Sequence, residues 1–333
     1  MREATDSAVF DGAIEVADRL RRNVETVVLG KSETVALVVA ALASRGHVLL
    51  EDVPGTAKTV LARSIAGSIE GAVASRVQCT PDLQPTDITG LSIWNPQTRE
   101  FEFRAGPVFA NVLLVDEVNR ALPKAQSALL EAMAEQQVTV AGTTHPLPSP
   151  FFVLATLNPI EMEGTYQLPE AQLDRFLFKV RLAYPSQAEL ERILSATTVA
   201  DVATIAPVLE PETAAARVLE LRRLVREVVV PPHVERHAAT IVRLTSPAHA
   251  ADDAVTRWVA HGASPRGGQA LVLGAKVRAL LDGRPNATPE DVDAVAHASL
   301  AHRLVLRFAA EADGADPERI VDGALTAARR ART

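Results

Sequence analysis

Short apolar runs alternate with helix-period segments from His47 to about Ala183. This is the pattern of a parallel sheet whose strands are joined by crossover helices. Strands are predicted at 47–51, 75–79, 111–115, 151–156 and 177–182. Between them, Ala125, Leu129 and Met133 recur four apart, which predicts a helix over Lys124–Gln136 with one apolar stripe. The longest apolar run, Val35 to Ala43, lies between Glu33 and Arg45. It is far short of the roughly 20 residues that a membrane span needs and predicts a buried helix. At Tyr184-Pro185-Ser186 the alternation stops, and the remainder of the chain reads as helical with no convincing strand. The expectation is an α/β domain at 1–186 and a smaller all-helical domain at 187–333.

Two segments exceed what a minimal sheet needs. Leu91 to Arg104 alternates polar and apolar positions around Asn95-Pro96, and Gln137 to Ser149 holds Val138-Thr139-Val140 before Gly142 and two prolines. Each predicts an inserted β-hairpin. The plainer reading is a pair of passive surface loops.

Length and composition narrow the class. At 333 residues the chain is long for one core and suits two domains, and 47% hydrophobic residues supply apolar material for both. A formal charge of -7 gives no global footprint for nucleic acid. Arginines at 222, 223 and 226 are diluted by Glu220 and Glu227, and Arg329, Arg330 and Arg332 fall at a terminus expected to fray. Both groups read as solvated faces, and with aromatics at 4% stacking platforms for bases are scarce. The single cysteine, Cys79, excludes an intramolecular disulfide and fits a reducing cytosol. The polar start, Met1 to Asp6, lacks a signal-peptide pattern, so a cytoplasmic protein without membrane insertion is expected. His233 and His237 stand four apart, but Glu235 falls on the opposite side of such a helix and no third ligand is near. A solvated helix after Pro231-Pro232 is the better account.

The chemistry concentrates in two elements. The first is an apolar run, His47 to Leu50, then Glu51, the turn Asp52-Val53-Pro54-Gly55-Thr56-Ala57, and Lys58-Thr59 opening a helix. Backbone N–H groups of such a loop and the N-terminal dipole of its helix converge on phosphate oxygens. Lys58 would reach the outer phosphates and the Thr59 hydroxyl would ligate Mg²⁺. The match to G-x-x-x-x-G-K-[ST] is imperfect, because Asp52 and Ala57 replace its glycines.

About sixty residues on, Val112-Leu113-Leu114-Val115 ends in Asp116-Glu117. A carboxylate ending a buried strand can hold Mg²⁺, and its neighbour can deprotonate an attacking water, so Asp116 is assigned to metal and Glu117 to the catalytic base. Asn158 ends the next strand, where an amide can hold a water between phosphate and base; an Asn-Pro turn is the alternative. Arg175, in Leu173-Asp174-Arg175-Phe176, offers a permanent planar charge for a neighbouring subunit's phosphoryl group; an intramolecular contact to Asp174 or a plain surface arginine is the alternative. Together these predict an ATPase using ATP and Mg²⁺.

Several segments resemble the MoxR family of AAA+ ATPases. They are Thr80-Pro81-Asp82-Leu83-Gln84-Pro85-Thr86-Asp87-Ile88-Thr89-Gly90, Asp116 to Ala121, Gln126 to Met133, and Ala155-Thr156-Leu157-Asn158-Pro159. The resemblance runs from about Val28 to the last helices. It implies an AAA+ P-loop sheet with two hairpin inserts facing the pore or partner, a helical lid, and a homo-oligomeric ring, expected to be a hexamer. Under it Asn158 is sensor 1 and Arg266, in Ser264-Pro265-Arg266 at a predicted helix start, is sensor 2, a nucleotide-binding residue that couples nucleotide state to lid position; Arg120 is a weaker candidate for signalling between subunits, and an ordinary surface role is the alternative for both. It further implies chaperone-like remodelling of a client with a von Willebrand factor A domain partner. A metal-insertion motor resembling magnesium chelatase subunits and a nucleotide-gated scaffold with little turnover are the alternatives.

Overall fold

In the computed structural model, residues 2–52, 58–158, 165–182, 184–199, 203–210, 213–250 and 252–332 are described. Two helices, α1 (Arg2–Glu25) and α2 (Ser32–Ala43), precede the sheet. The run from Val35 is buried in α2, as its pattern predicts. Then come β1 (Val48–Asp52), α3 (Lys58–Gly67), β2 (Ala74–Gln78), α4 (Pro85–Thr89), β3 (Gly90–Asn95), β4 (Glu100–Ala105) and β5 (Val112–Asp116). Next are α5 (Pro123–Glu135), β6 (Gln137–Val140), β7 (Thr143–Pro146), β8 (Phe152–Leu157), α6 (Glu170–Leu173) and β9 (Phe178–Leu182).

Five strands form one parallel sheet in the order β2-β5-β8-β1-β9. Each sequence-predicted strand lies within one residue of its observed bounds. The two extra segments are hairpins, β3 with β4 and β6 with β7, both antiparallel.

The period of two in a strand sends alternate residues to opposite faces. On one face Leu49, Leu113, Val115, Val153 and Ala155 pack with Leu129 and Met133 of α5. On the other, Leu50, Leu114, Leu154, Phe152 and Phe178 pack with α1, α2, α3 and the C-terminal helices. Central strands buried on both faces explain the unbroken apolar runs of the sequence. The edge strand β2 alternates instead, and of its five residues only Val77 is buried.

Beyond the sheet the chain is mainly helical. Ser186 caps α7 (Gln187–Thr197) in a capping box with Glu189, which is why the alternation ends there. The series continues with α8 (Ala214–Glu227), α9 (Pro232–Leu244), α10 (Asp253–Trp258), β10 (Val259–His261), α11 (Pro265–Leu281), α12 (Pro289–Ala294) and α13 (Ala296–Leu300). It closes with β11 (Val305–Leu306), α14 (Phe308–Ala312) and α15 (Pro317–Arg330). Among the described residues the region departs from all-helical at the minimal antiparallel pair β10 with β11, too short to show a period, and at isolated bridges of Leu209 with Ile69 and of Val229 with Asn286. α11 approaches the sheet closely because residue 274 is glycine: a Cβ there would stand 3.1 Å from the Phe178 ring and 2.9 Å from Val295. Phe178 is fully buried at this contact. Phe178→Ala would therefore leave a cavity costing about 3–5 kcal/mol.

Candidate functional site

All five strands run the same way, so their C-terminal ends share one edge of the sheet. Asp116 and Glu117 end β5 there, Asn158 comes directly after β8, and β1 leads towards α3. Residues 53–57 of the proposed phosphate loop, and the side chain of Asp52, lie outside the described residues. Lys58 and Thr59 form the first turn of α3 and are half-buried. The first N–H groups of a helix have no intrahelical partner and carry its positive dipole end, so this turn suits phosphate oxygens.

Asp116 is 6% exposed. Its Oδ2 accepts from Arg76 Nε at 2.7 Å, and Oδ1 accepts from the Thr156 hydroxyl at 3.3 Å. Glu117 has left-handed backbone angles, φ 55 and ψ 52. Such angles are unusual for a residue with a Cβ and cost about 1–2 kcal/mol. Its N–H donates to the Thr156 hydroxyl at 2.9 Å, and its Oε2 accepts from Gln78 Nε2 at 3.1 Å and pairs with Arg120 Nε at 3.1 Å. Gln78 in turn accepts from Arg76 at 2.9 Å. Edge strand β2 therefore holds both carboxylates: its register sets Gln78 beside Asp116. Asn158 is buried, and its carbonyl accepts from Asn119 Nδ2 at 3.4 Å.

Thr156, Arg76 and Gln78 escape a reading that looks for apolar runs. The available signal is local: a threonine opposite two carboxylates, and polar residues at alternate positions of one strand.

Arg175 and Arg266 lie elsewhere. Arg175 precedes β9, and with Gly46, His47, Asp174, Arg266 and Arg303 it lines a cavity of about 400 Å³ at the N-terminal edge of the sheet. Strands of five residues rising ~3.3 Å each put that edge roughly 15 Å from the Asp116 edge. Arg175 is exposed and donates to the Leu130 carbonyl at 2.6 Å. Asp174 does not pair with it; that carboxylate accepts from Arg303 Nε at 2.8 Å and from the Ser264 hydroxyl at 3.0 Å, with Arg266 at 3.8 Å. Ser264 caps α11, accepting the Arg266 N–H at 3.1 Å, with Pro265 in the first turn as the sequence predicts.

Burial sets the titration of several groups nearby. Burial, reinforced by Arg222 and Arg45, outweighs the bond to the Met133 carbonyl and holds His47 down at about 4. Its Nδ1 accepts the Val153 N–H at 3.0 Å while Nε2 faces the Met133 carbonyl at 3.3 Å. One accepting and one donating nitrogen is the pattern of a neutral ring. Burial pushes the Cys79 thiol up to about 12, aided by the Asp116 and Glu117 carboxylates. Burial alone would raise Glu51, yet Lys179 at 3.0 Å and Arg181 at 2.8 Å hold it below the usual carboxylate range.

Three sequence expectations need correction. Arg222 is not on a solvated face: it is 8% exposed and donates to the carbonyls of Leu42 and Phe151 at 2.9 and 3.2 Å. His237 is buried against Asp293 at 2.7 Å, whereas His233 is exposed. The C-terminal arginines do not fray, since α15 is helical to Arg330, Arg329 pairs with Asp293 and Arg332 with Glu290. Among the described residues no cluster of three His, Cys, Asp or Glu could hold a metal, and no helix is long and apolar enough to cross a membrane.

The donor set fits magnesium nucleotide in kind. A carboxylate at Asp116 and a hydroxyl at Thr59 are the hard oxygen ligands Mg²⁺ takes alongside phosphates, and Lys58 supplies positive charge. Comparison with known proteins agrees. The model of the ATPase family associated with various cellular activities (AAA) matches residues 47–178, and that of the AAA lid domain matches 251–324. The chain is 45% identical to the uncharacterized protein YeaC of Bacillus subtilis over 92% of each chain. It is 41% identical to chaperone MoxR1 of Mycobacterium tuberculosis over 94% of this chain and 81% of that one. With protein MoxR of Methylorubrum extorquens it shares 33% identity over 88% of each. A crystal structure from Cytophaga hutchinsonii superposes with a TM-score of 0.89 at 35% identity, covering 98% of both chains. A parallel sheet ending in a braced carboxylate pair, joined to a helical lid and matched along its length by these relatives, belongs to the MoxR family of AAA+ ATPases.

Proposed function

We propose that this chain hydrolyses ATP in a homo-oligomeric ring, a hexamer, and uses the cycle to remodel or activate a client protein in the cytoplasm. The working units are an ATPase core, residues 1–186, and a lid, residues 187–333. A von Willebrand factor A domain protein is the proposed partner, by kinship with MoxR proteins.

The observation that carries the reading is the braced carboxylate pair, Asp116 and Glu117, at the edge of the sheet where β1 leads towards α3. The segment 52–57 with Lys58 binds the phosphates. Thr59 and Asp116 hold Mg²⁺, which when bound neutralises charge on the phosphate oxygens. Asn158 positions the attacking water, and Glu117 takes its proton. The left-handed backbone at Glu117 turns its side chain out of the strand line, where Gln78 and Arg120 hold it.

Arg175 and Arg266 serve a different nucleotide. Both line one cavity at the far edge of the sheet. By strand rise that edge is roughly 15 Å from the Asp116 edge, so each would meet the γ-phosphate held by a neighbouring subunit. An arginine supplied across an interface accelerates phosphoryl transfer by on the order of a thousandfold or more, so assembly and turnover rise together.

The test is ATP turnover as a function of protein concentration, with Lys58→Ala as control. Turnover that rises faster than linearly and vanishes in the variant is expected. A linear dependence down to concentrations where the protein is monomeric would reject the shared site.

A further inference from the structure

Arg303, just beyond α13, has a side chain only 3% exposed, and all of its donors are committed. Nε donates to Asp174 Oδ1 at 2.8 Å. One terminal nitrogen donates to the carbonyls of Asp174 at 3.2 Å and Phe176 at 2.6 Å. The other faces the Leu177 carbonyl at 3.2 Å, the Ser299 carbonyl and His302 Nε2 at 2.9 Å. A guanidinium has five N–H groups in a planar fork, and each is matched here. Four of them hold the short link between α6 and β9, on both sides of Arg175 and skipping only Arg175 itself. Asp174 extends the hold to the lid helix, since its carboxylate also receives the Ser264 hydroxyl that caps α11 just before Arg266.

We propose that Arg303 is a positioning residue for the intersubunit arginines: its clasp on the backbone either side of Arg175, and on the Asp174 carboxylate that holds Ser264, sets Arg175 and Arg266 in one register towards the neighbouring subunit's nucleotide. The inference rests on the reading that Arg175 acts across the interface. It assigns the turn that follows α13 a part in catalysis without contact with the reacting atoms. A lysine in the same place offers three donors from one nitrogen, and a single point cannot reach the Asp174 carboxylate and the Asp174, Phe176 and Leu177 carbonyls that three guanidinium nitrogens meet.

The test uses full-length rings. Arg303→Lys should lower kcat on the order of tenfold to a hundredfold, as expected for misplaced catalytic groups, and leave the affinity for ATP unchanged because Lys58 and Asp116 lie at the other edge. In the background of Arg175→Ala it should cause no further loss, because groups that act as a unit are not additive. Mixed with Glu117→Gln subunits, Arg303→Lys subunits should recover part of the lost turnover, since their own Glu117 then faces intact arginines. Asp174→Asn, which weakens the same clasp at equal volume, should repeat all three results and serves if the lysine variant does not fold.

Full kcat in both variants, while Arg175→Ala is impaired and recovers on mixing, would overturn the clasp alone. Losses that add to Arg175→Ala and do not recover in demonstrably mixed rings would also overturn it. Failure of Arg175→Ala itself to recover in mixed rings would overturn the trans reading and the clasp together.

Discussion

The Thr156 hydroxyl accepts the backbone N–H of Glu117 at 2.9 Å and turns its own proton to Asp116 at 3.3 Å. One fully buried threonine thus joins the two acidic residues of the site and pins the left-handed turn between them. Thr156→Val keeps the shape and removes both bonds, leaving the Glu117 N–H unmatched. The unmade bond costs about 1–3 kcal/mol, visible as a lower urea midpoint. Released from its anchor, Glu117 relaxes towards ordinary backbone angles, and turnover falls at least about tenfold while ATP still binds. Wild-type turnover with a wild-type midpoint would remove Thr156 from this role.

Glu117→Gln separates binding from chemistry. Gln78 and Arg120 brace the side chain through Oε2, and an amide keeps an oxygen there while losing the capacity to take a proton. ATP affinity should stay within about threefold of wild type, whereas turnover should drop by a hundredfold or more, the general range of acid–base assistance being ~10²–10⁴. Single-turnover hydrolysis beside equilibrium nucleotide binding measures both. Undiminished hydrolysis would transfer the base role elsewhere.

The sheet was legible because its inner strands are buried on both faces, and an apolar run such as Val112 to Val115 admits few other readings. Asp116, Glu117 and Asn158 were legible for the same reason: each ends such a run. Their braces were not. Thr156 lies inside a run that reads as plain strand, and Arg76 and Gln78 sit on an edge strand whose polar positions look merely solvated. Arg222 misled because acidic neighbours on α8 suggested a wet face, although its own position faces Leu42 and Phe151. Arg303 and Asp174 meet across a separation that no local pattern encodes; only the docking of the lid on the sheet brings them together.

Acid should unfold this protein partly through His47. Buried and neutral, it titrates at about 4 when folded against 6.5 as a free side chain. The unfolded chain binds the extra proton between those values, so stability is complete above pH 6.5 and is lost as pH falls towards 4. The gap corresponds to about 3 kcal/mol at most. His302, also buried and depressed well below its ordinary value by burial and by Arg303, adds in the same direction. His47→Gln retains a donor and an acceptor without a titrating ring. Unfolding free energies from urea titrations between pH 6.5 and 4.5 should therefore fall less steeply in the variant, by about 1 kcal/mol per pH unit. Parallel profiles would mean that His47 is solvated in the folded protein.

Cys79 reports on the same edge of the sheet from within. It directly succeeds β2, its N–H donates to the Asp116 carbonyl at 2.9 Å, and its side chain is 1% exposed. With the thiol pushed up to about 12 by burial and by the two carboxylates, the thiolate at pH 8 is on the order of one part in ten thousand. A free cysteine is about one-quarter ionised at that pH, so the native thiol should react with iodoacetamide at least a thousandfold more slowly. Labelling then requires β2 to part from β5, the pairing that aligns Gln78 with Asp116. Along a urea titration, labelling should appear with global unfolding and not before it, tracked by mass spectrometry of the intact chain. Fast labelling of the native protein would show that the β2–β5 pairing opens, and with it the brace that holds Asp116 and Glu117.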